Sequence, residues 1–195
     1  MNGNLPRISD IDAVEIARVV RPLTDINERE CVAKLAADVP PGGSIVEIGS
    51  LYGGMTAVLG LANPEAKIVS IDDYSWHPAD DVPTSKELLL ANMKRVGVKN
   101  VKAREGDSRV IGKTWKKAID LLWIDGGHSY EYVHSDLVNF GPHARVIAVH
   151  DYKNPAWATI EQAINDFIQD HPEWAIVDVV GMVAVLKRKG EGDQG

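Results

Sequence analysis

One cysteine, Cys31, stands alone in 195 residues, which excludes an intrachain disulfide and a cysteine-rich zinc site. It lies on an apolar helical face with Leu35 and Val39 and reads as a buried structural thiol rather than a nucleophile. No apolar run approaches the roughly 18 residues of a membrane span. The N-terminal stretch carries Asp10, Asp12 and Glu15 among its apolar positions, a composition wrong for a signal peptide. Basic charge is also short: 21 lysines and arginines face 28 acidic residues, a net charge of −7. That argues against a nucleic-acid backbone as the main partner, because phosphate binding needs a basic face. The one candidate basic patch, Lys113, Lys116 and Lys117, reads as a solvated helix face. A soluble cytoplasmic protein with no membrane or nucleic-acid partner is the expectation.

A further absence concerns nucleotide binding. Residues 44–56 combine a β-branched run, an acidic residue, Gly49, and then Gly53-Gly54 opening a helical pattern. This strand, tight turn and helix start allow backbone to approach a nucleotide-like ligand. Gly49 is followed by Ser50 and Leu51, so the second glycine of the dinucleotide fingerprint is missing. A Tyr-x-x-x-Lys pair is missing too, since Tyr130 and Tyr132 are followed four residues later by His134 and Asp136. Both gaps disfavour a nicotinamide dehydrogenase.

What is present alternates. Apolar runs at Ser44–Ile48, Lys67–Ile71, Val101–Glu105, Leu121–Ile124, Val146–Val149, Ala175–Val180 and Met182–Lys187 read as strands, most of them continuous enough for a parallel sheet covered on both faces. Helical patterns lie between them. Thr84 with Glu87 forms a capping box ahead of Leu88, Leu89, Met93 and Val96, ended by Gly97. Ser129 precedes a helix broken at Gly141-Pro142, and Asn154-Pro155 starts one stopped by His171-Pro172. Alternation of this kind predicts a doubly wound sheet. Only Gly181 separates the last two strands, so they should pair antiparallel. The length suits one domain, with residues 1–40 as an N-terminal helical extension over the sheet edge or ligand mouth and 190–195 as a frayed tail. That extension is a candidate homodimer surface.

Ligands of open α/β sheets bind beyond the carboxyl ends of the strands. Successive strand ends are followed by Gly49-Ser50, Asp72-Asp73, Gly106-Asp107-Ser108, Asp125-Gly126-Gly127-His128 and His150-Asp151-Tyr152, an acidic and polar rim. Asp72 stands where a carboxylate accepts from ribose hydroxyls. Asp107 stands where an adenine amine wants an acceptor, although it and Ser108 also suit a helix cap. Glu47 ends an apolar strand, where an unpaired charge is expensive. Its candidate partners are a cationic group of the ligand or nearby backbone amides.

The blocks Val-Glu-Ile-Gly-Ser (46–50), Asp72, Glu-Gly-Asp-Ser (105–108), Ile-Asp-Gly-Gly-His-Ser-Tyr-Glu (124–131) and Val-His-Asp-Tyr (149–152) resemble the class I S-adenosylmethionine-dependent methyltransferases. More narrowly, they are similar to a small bacterial group sharing an Ile-Asp-Gly-x-His-Ser-Tyr block and a His-Asp pair, related to sugar and macrolide O-methyltransferases and cephalosporin-hydroxylase-like proteins. The resemblance implies a Rossmann-like α/β fold, a seven-stranded sheet in order 3-2-1-4-5-7-6 with strand 7 antiparallel. It implies S-adenosylmethionine as cofactor, with Gly49, Ser50, Gly53 and Glu47 at the methionine portion, Asp72 at the ribose, and Asp107 and Ser108 at the adenine.

Sugar O-methyltransferases of that group hold magnesium through an aspartate after the fourth strand and an acidic pair after the fifth. The matching residues are Asp125, His150 and Asp151. The histidine moves the preference from magnesium toward manganese and other transition metals. His128 is the candidate general base, since imidazole titrates at about 6.5, and Asp125 joins it as a catalytic residue. The acceptor is expected to be a hydroxylated small molecule, a sugar or natural product. Tyr52, Trp76, Tyr152 and Trp157 are aromatic candidates at its mouth, and Tyr74–Pro83 is a candidate lid. Three alternatives stay open: a metal-independent methyltransferase, a noncatalytic cofactor-binding module, and a hydroxylase-like activity.

Overall fold

The computed structural model of the protein describes residue 20, residues 23–76 and residues 83–190. Its seven strands are β1 (Ser44–Ile48), β2 (Lys67–Asp72), β3 (Val101–Glu105), β4 (Ile119–Ile124), β5 (Ala144–Val149), β6 (Trp174–Val180) and β7 (Val183–Arg188). They form one sheet in the order β3-β2-β1-β4-β5-β7-β6, with β7 antiparallel to both neighbours and the other described pairings parallel. The helices are α1 (Ile26–Ala37), α2 (Gly54–Ala62), α3 (Lys86–Arg95), α4 (Ser108–Gly112), α5 (Tyr130–Phe140) and α6 (Thr159–Asp170).

Period-two alternation sends successive strand side chains to opposite faces, and here both faces are covered. Ile45, Leu121, Trp123 and Ala148 meet Val32, Ala33 and Ala36 of α1 and Val58 and Leu59 of α2. Val46, Leu122, Ile124 and Ile147 meet Val133, Leu137 and Phe140 of α5 and Ile160, Ile164 and Phe167 of α6. The central stretches Leu121–Ile124 and Val146–Val149 therefore read as unbroken apolar runs. Edge strand β3 is different: Lys102, Arg104 and Glu105 are exposed, charge that discourages pairing with another chain.

Several elements differ in detail from the sequence expectation. The cap of α3 is Ser85, whose hydroxyl accepts from Leu88 N at 3.1 Å, not Thr84. The Thr84 hydroxyl instead donates to the carbonyls of Tyr74 and Trp76, so a side chain read as a cap closes the preceding loop. Asn154 caps a 3-10 turn, Pro155–Trp157, that feeds α6. Lys113 follows the end of α4, and Lys116 and Lys117 lie in the loop before β4, so the three lysines share no helix face. Cys31 is half-buried rather than buried. Of the N-terminal extension, α1 is described, and it packs on α2 beneath the sheet. Residues 1–19, 21 and 22 of that extension, residues 77–82 of the candidate lid, and residues 191–195 of the tail lie outside the described residues. Among the described residues, no helix is long and apolar enough to cross a membrane.

The ladder continues one residue past four of the strands that build the rim. Gly49 N donates to Ile71 O at 2.9 Å, Gly106 N to Asp72 O at 2.9 Å, Asp125 N to Ile48 O at 2.8 Å and His150 N to Ile124 O at 3.0 Å. The residues that follow β1, β3, β4 and β5 are thereby held in one row with Asp72, the last residue of β2.

Candidate active site

Gly49 sets the turn after β1. Its φ is +87°, and a Cβ would lie 2.1 Å from the Asp125 carbonyl oxygen, so only glycine lets β1 and β4 close at this point. Asp72 organises the residues around it. One carboxylate oxygen accepts from Ser50 N and Leu51 N, both at 2.8 Å, and the other from Tyr74 N at 2.7 Å. Leu51 (φ 48°) and Tyr74 (φ 54°) both adopt left-handed backbone, a strained choice for bulky side chains. Asp72 thus holds two strained residues of the adjoining loops, a clamping role that the sequence expectation of a ribose ligand did not include.

The cleft is lined by Gly49, Asp72, Asp73, Gly106, Ser108 and Tyr132, among others. The structure divides the residues expected at the cofactor. Ser50 is buried, its hydroxyl 3.5 Å from the Tyr74 hydroxyl. Gly53 starts α2, and a Cβ there would meet Met93 Cε at 2.7 Å, so it serves the packing of α2 on α3. Asp107 caps α4 through Arg109 N and pairs with the Arg109 guanidinium at 2.6 Å. Burial of Ser108 behind that cap leaves Ser108, not Asp107, on the cleft wall. Tyr132 was not among the sequence candidates. The Arg109 guanidinium lies 3.8 Å from its ring centre, and the ring fills the space that Gly127 leaves by lacking a Cβ. Its signal was a helix-start aromatic shortly after two consecutive glycines.

Glu47 is fully buried. One of its oxygens accepts from Thr56 and Ser70 hydroxyls, both at 2.6 Å, where the sequence suggested a ligand cation or backbone amides. Its other oxygen, Oε1, has no partner among the described residues, nor does Nε1 of Trp123, its register neighbour on β4. Burial pushes the Glu47 carboxyl up to about 8 against the pull of the two hydroxyls.

Beyond β4 and β5 lies a network of two imidazoles and three carboxylates. His128 Nε2 is 3.0 Å from Asp151 Oδ2, and the His128 ring stacks on Trp157 with centroids 4.8 Å apart and planes at 17°. Asp151 has φ 58°, a conformation Asp tolerates better than most residues, and Asn154 donates to its other oxygen at 2.6 Å. His150 Nδ1 is 3.0 Å from Asp125 and 3.4 Å from Asp151, and its Nε2 is 3.1 Å from Glu28. Burial disfavours the charged ring, but the bonds to Asp125 and Asp151 outweigh it and raise the His150 pKa to about 11. Burial raises Asp151 as well, yet hydrogen bonds from His128, His150 and Asn154 hold it far below the usual carboxylate range.

Of the expected metal-ligand set, Asp125 and Asp151 converge, but His150 spends both nitrogens on carboxylates. The group whose ligand atoms lie within 4.8 Å of one another is Asp125, His128 and Asp151. The acidic residue that engages the far side of His150 is Glu28 of α1, also absent from the sequence candidates. It is 1% exposed and accepts from Asp25 N and Met182 N, both at 2.8 Å. Burial raises Glu28, and those amides together with His150 bring it below its ordinary value. One carboxylate therefore ties α1, the β6–β7 turn and the rim together. Glu28→Gln keeps the shape and removes the charge facing His150. It is expected to lower stability by about 2 kcal/mol, a fall in Tm of about 4–8 °C at this chain size, readable by thermal unfolding.

Residues 46–152, more than half of the chain, match the family model described as a methyltransferase domain. Among solved structures, the O-methyltransferase NovP has a TM-score of 0.72 at 17% identity, covering 84% of this chain and 80% of its own. S-adenosylhomocysteine-bound PaMTH1 of Podospora anserina has a TM-score of 0.66 at 18% identity, with 92% and 87% covered. CalS11, a TDP-rhamnose 3′-O-methyltransferase, has a TM-score of 0.58 at 21% identity, with 94% and 82% covered. No curated protein matches the sequence. With the strand order, the glycine turn and the acidic rim in place, the chain belongs to the methyltransferase domain family and is a class I S-adenosylmethionine-dependent methyltransferase.

Proposed function

We propose that the protein is an O-methyltransferase for a hydroxylated small molecule, a sugar or natural product, with His128 as the base. The observation that carries this reading is the His128–Asp151 pair at 3.0 Å, across the Asp125–Gly127 turn from the cleft. The cleft suits the cofactor: the turn at Gly49 is open where a Cβ would close it, and two acidic residues, Asp72 and Asp73, stand together on its wall. Ser108 and Tyr132 would hold the adenine, Asp72 and Asp73 the ribose, and Gly49 the methionine portion. A contact from Glu47 to the amino group would fall to its unpartnered Oε1.

Bound S-adenosylmethionine supplies a methyl group on a positively charged sulfur. The chain's part is alignment, which can account for roughly 7–11 kcal/mol of such a barrier, and removal of the acceptor's proton. A neutral His128 that donates Nε2–H to Asp151 presents the Nδ1 lone pair. As the acceptor oxygen gains the methyl group, its proton passes to that nitrogen. Asp151 then faces an imidazolium, and Asn154 and His150 keep the carboxylate in place for it. Trp157 fixes the plane of the His128 ring and offers its exposed surface beside the base.

The convergence of Asp125, His128 and Asp151 supports a second reading, in which these three hold a divalent cation. The mixed nitrogen and oxygen donors suit manganese better than magnesium, and such an ion would act on the acceptor hydroxyl as a Lewis acid.

Calorimetric titration of chelator-treated protein with S-adenosylhomocysteine, repeated with magnesium and with manganese, is the test. The expected result is binding without metal, followed by methyl transfer to a panel of hydroxylated acceptors. Stoichiometric manganese uptake that disappears in Asp151→Ala would favour the second reading. Cofactor binding with no transfer to any acceptor class would favour a noncatalytic module.

A further inference from the structure

A groove of about 330 Å³ lies between α1 and the end of the sheet, and it shares no lining residue with the cofactor cleft. Its floor is Val185 of β7 with Val177 and Val180 of β6, and α1 walls it through Cys31 and Leu35. β6 is the last strand in the sheet and pairs only with β7. α1 stops short of it, so Val177 and Asp178 are exposed. A register shift between Ile176 and Asp178 makes Val177 a bulge residue, which unfits this edge for a further strand. The flank therefore offers its side chains rather than its backbone, and Leu23 and Ile26 are exposed at the approach to α1. Around the apolar floor stand two acids and two bases: Glu30 and Lys34 of α1, Asp178 of β6 and Lys187 of β7. Among the described residues, none of the four makes an ion pair. An apolar centre ringed by charge is the anatomy of a protein contact.

We propose that this groove receives α1 of a second copy of the chain, in an isologous two-fold contact. The charges select that occupant. In a two-fold contact a surface meets itself, so a patch of one sign would repel its copy. This patch carries both signs in equal number, and its charges are unspent within the chain. Glu30 and Lys34 are one helical turn apart on the same face. Two α1 helices crossing antiparallel, about an axis level with residues 31–33, set each Glu30 against the partner's Lys34, and do so twice. Cys31 then lies close to the axis. The other edge of the sheet is unsuited to such a contact, because Lys102 and Arg104 are exposed on β3 and would face their own copies. The contact also bears on the rim. α1 carries Glu28 to His150, so a partner seated on α1 braces the helix that closes the far side of that imidazole.

Sedimentation equilibrium of the full chain, paired with cross-linking by a short bismaleimide, is the test. The wild-type protein is expected to be a dimer. Cys31 is its sole cysteine, so a covalent dimer can only join Cys31 to the partner's Cys31. Glu30→Lys and Lys34→Glu each bring two pairs of like charges together and should weaken association by about a hundredfold or more. Mixing the two variants should restore the dimer, since the reversed charges then oppose each other, and that recovery also shows both to be folded. Val177→Asp sets a carboxylate into the apolar floor and reads the same contact if either reversal does not fold. A wild-type chain that stays monomeric up to about 100 μM would overturn the proposal. In that monomer, zero-length cross-links from Lys34 or Lys187 to Asp10, Asp12 or Glu15 would name residues 1–19 as the occupant instead. A dimer that both charge reversals leave intact would place the contact elsewhere and overturn the proposal as well.

Discussion

His128→Ala is expected to slow methyl transfer by about 10²–10⁴-fold, the usual contribution of a positioned base, while S-adenosylhomocysteine binds as before. The residue touches Asp151 and Trp157 and is outside the set lining the cleft proposed for the cofactor, so in the proposed mechanism its loss acts on the proton and not on the cofactor. Asp151→Asn should fall in the same range for a different reason. The amide cannot serve as an anionic partner for the imidazolium that forms, and it leaves His150 with one carboxylate fewer. Asp125 separates the two readings of the rim. In chelator-treated protein, Asp125→Ala should retain most of the wild-type rate if His128 acts as the base without a cation. A loss as deep as that of His128→Ala, matched by a loss of manganese uptake, would move the assignment to the cation reading. Single-turnover transfer of a labelled methyl group reads all three variants. A near-normal rate in His128→Ala sinks its role as base.

Raising the pH from about 5 to about 9 is expected to destabilise the unliganded protein, with Glu47 as a main cause. A carboxyl held at about 8 in the fold and 4.5 in the unfolded chain is protonated in the folded state and ionised in the unfolded one between those two values. The unfolded state binds fewer protons, so stability falls as pH rises. At 1.36 kcal/mol per pH unit, a shift from 4.5 to about 8 corresponds to at most about 5 kcal/mol, all of it present below pH 4.5 and gone above about 8. Glu47→Gln does not ionise. Its stability relative to wild type should therefore improve steadily across the window, as read from urea midpoints at a series of pH values. A parallel pH dependence in variant and wild type would show that Glu47 is ionised in the folded state. Cofactor binding should also flatten the wild-type curve if an ammonium group reaches Oε1.

The architecture was legible because the signals behind it are local. Leu121–Ile124 and Val146–Val149 are apolar on both parities, as a doubly covered strand requires. Gly181 is too short a link for any crossover, so β6 and β7 had to pair antiparallel. Caps were less secure: adjacent Thr84 and Ser85 offer nearly the same hydroxyl, and backbone entry into the helix chose between them. Among site residues, the strand-end rule found Gly49, Asp72, Asp125, His128 and Asp151. It missed Glu28 and Tyr132, because it looks only after strands and these two lie on helices.

By itself the sequence determined the order and type of elements, the rim on which ligand-binding side chains gather, and the family. The elements and the rim follow from periodicity and from residues adjacent along the chain, and the family from the resemblance of its motif blocks. Only the tertiary structure decided which partners each polar group took. It brought Glu28 across 122 positions to His150, which closes both imidazole nitrogens and leaves His128 as the nitrogen beside Asp125 and Asp151. It turned Asp107 onto Arg109. The physical reason is that a charge or hydroxyl has many permissible partners in sequence and few in space. Burial removes water as the default partner, so the fold determines which of them it meets.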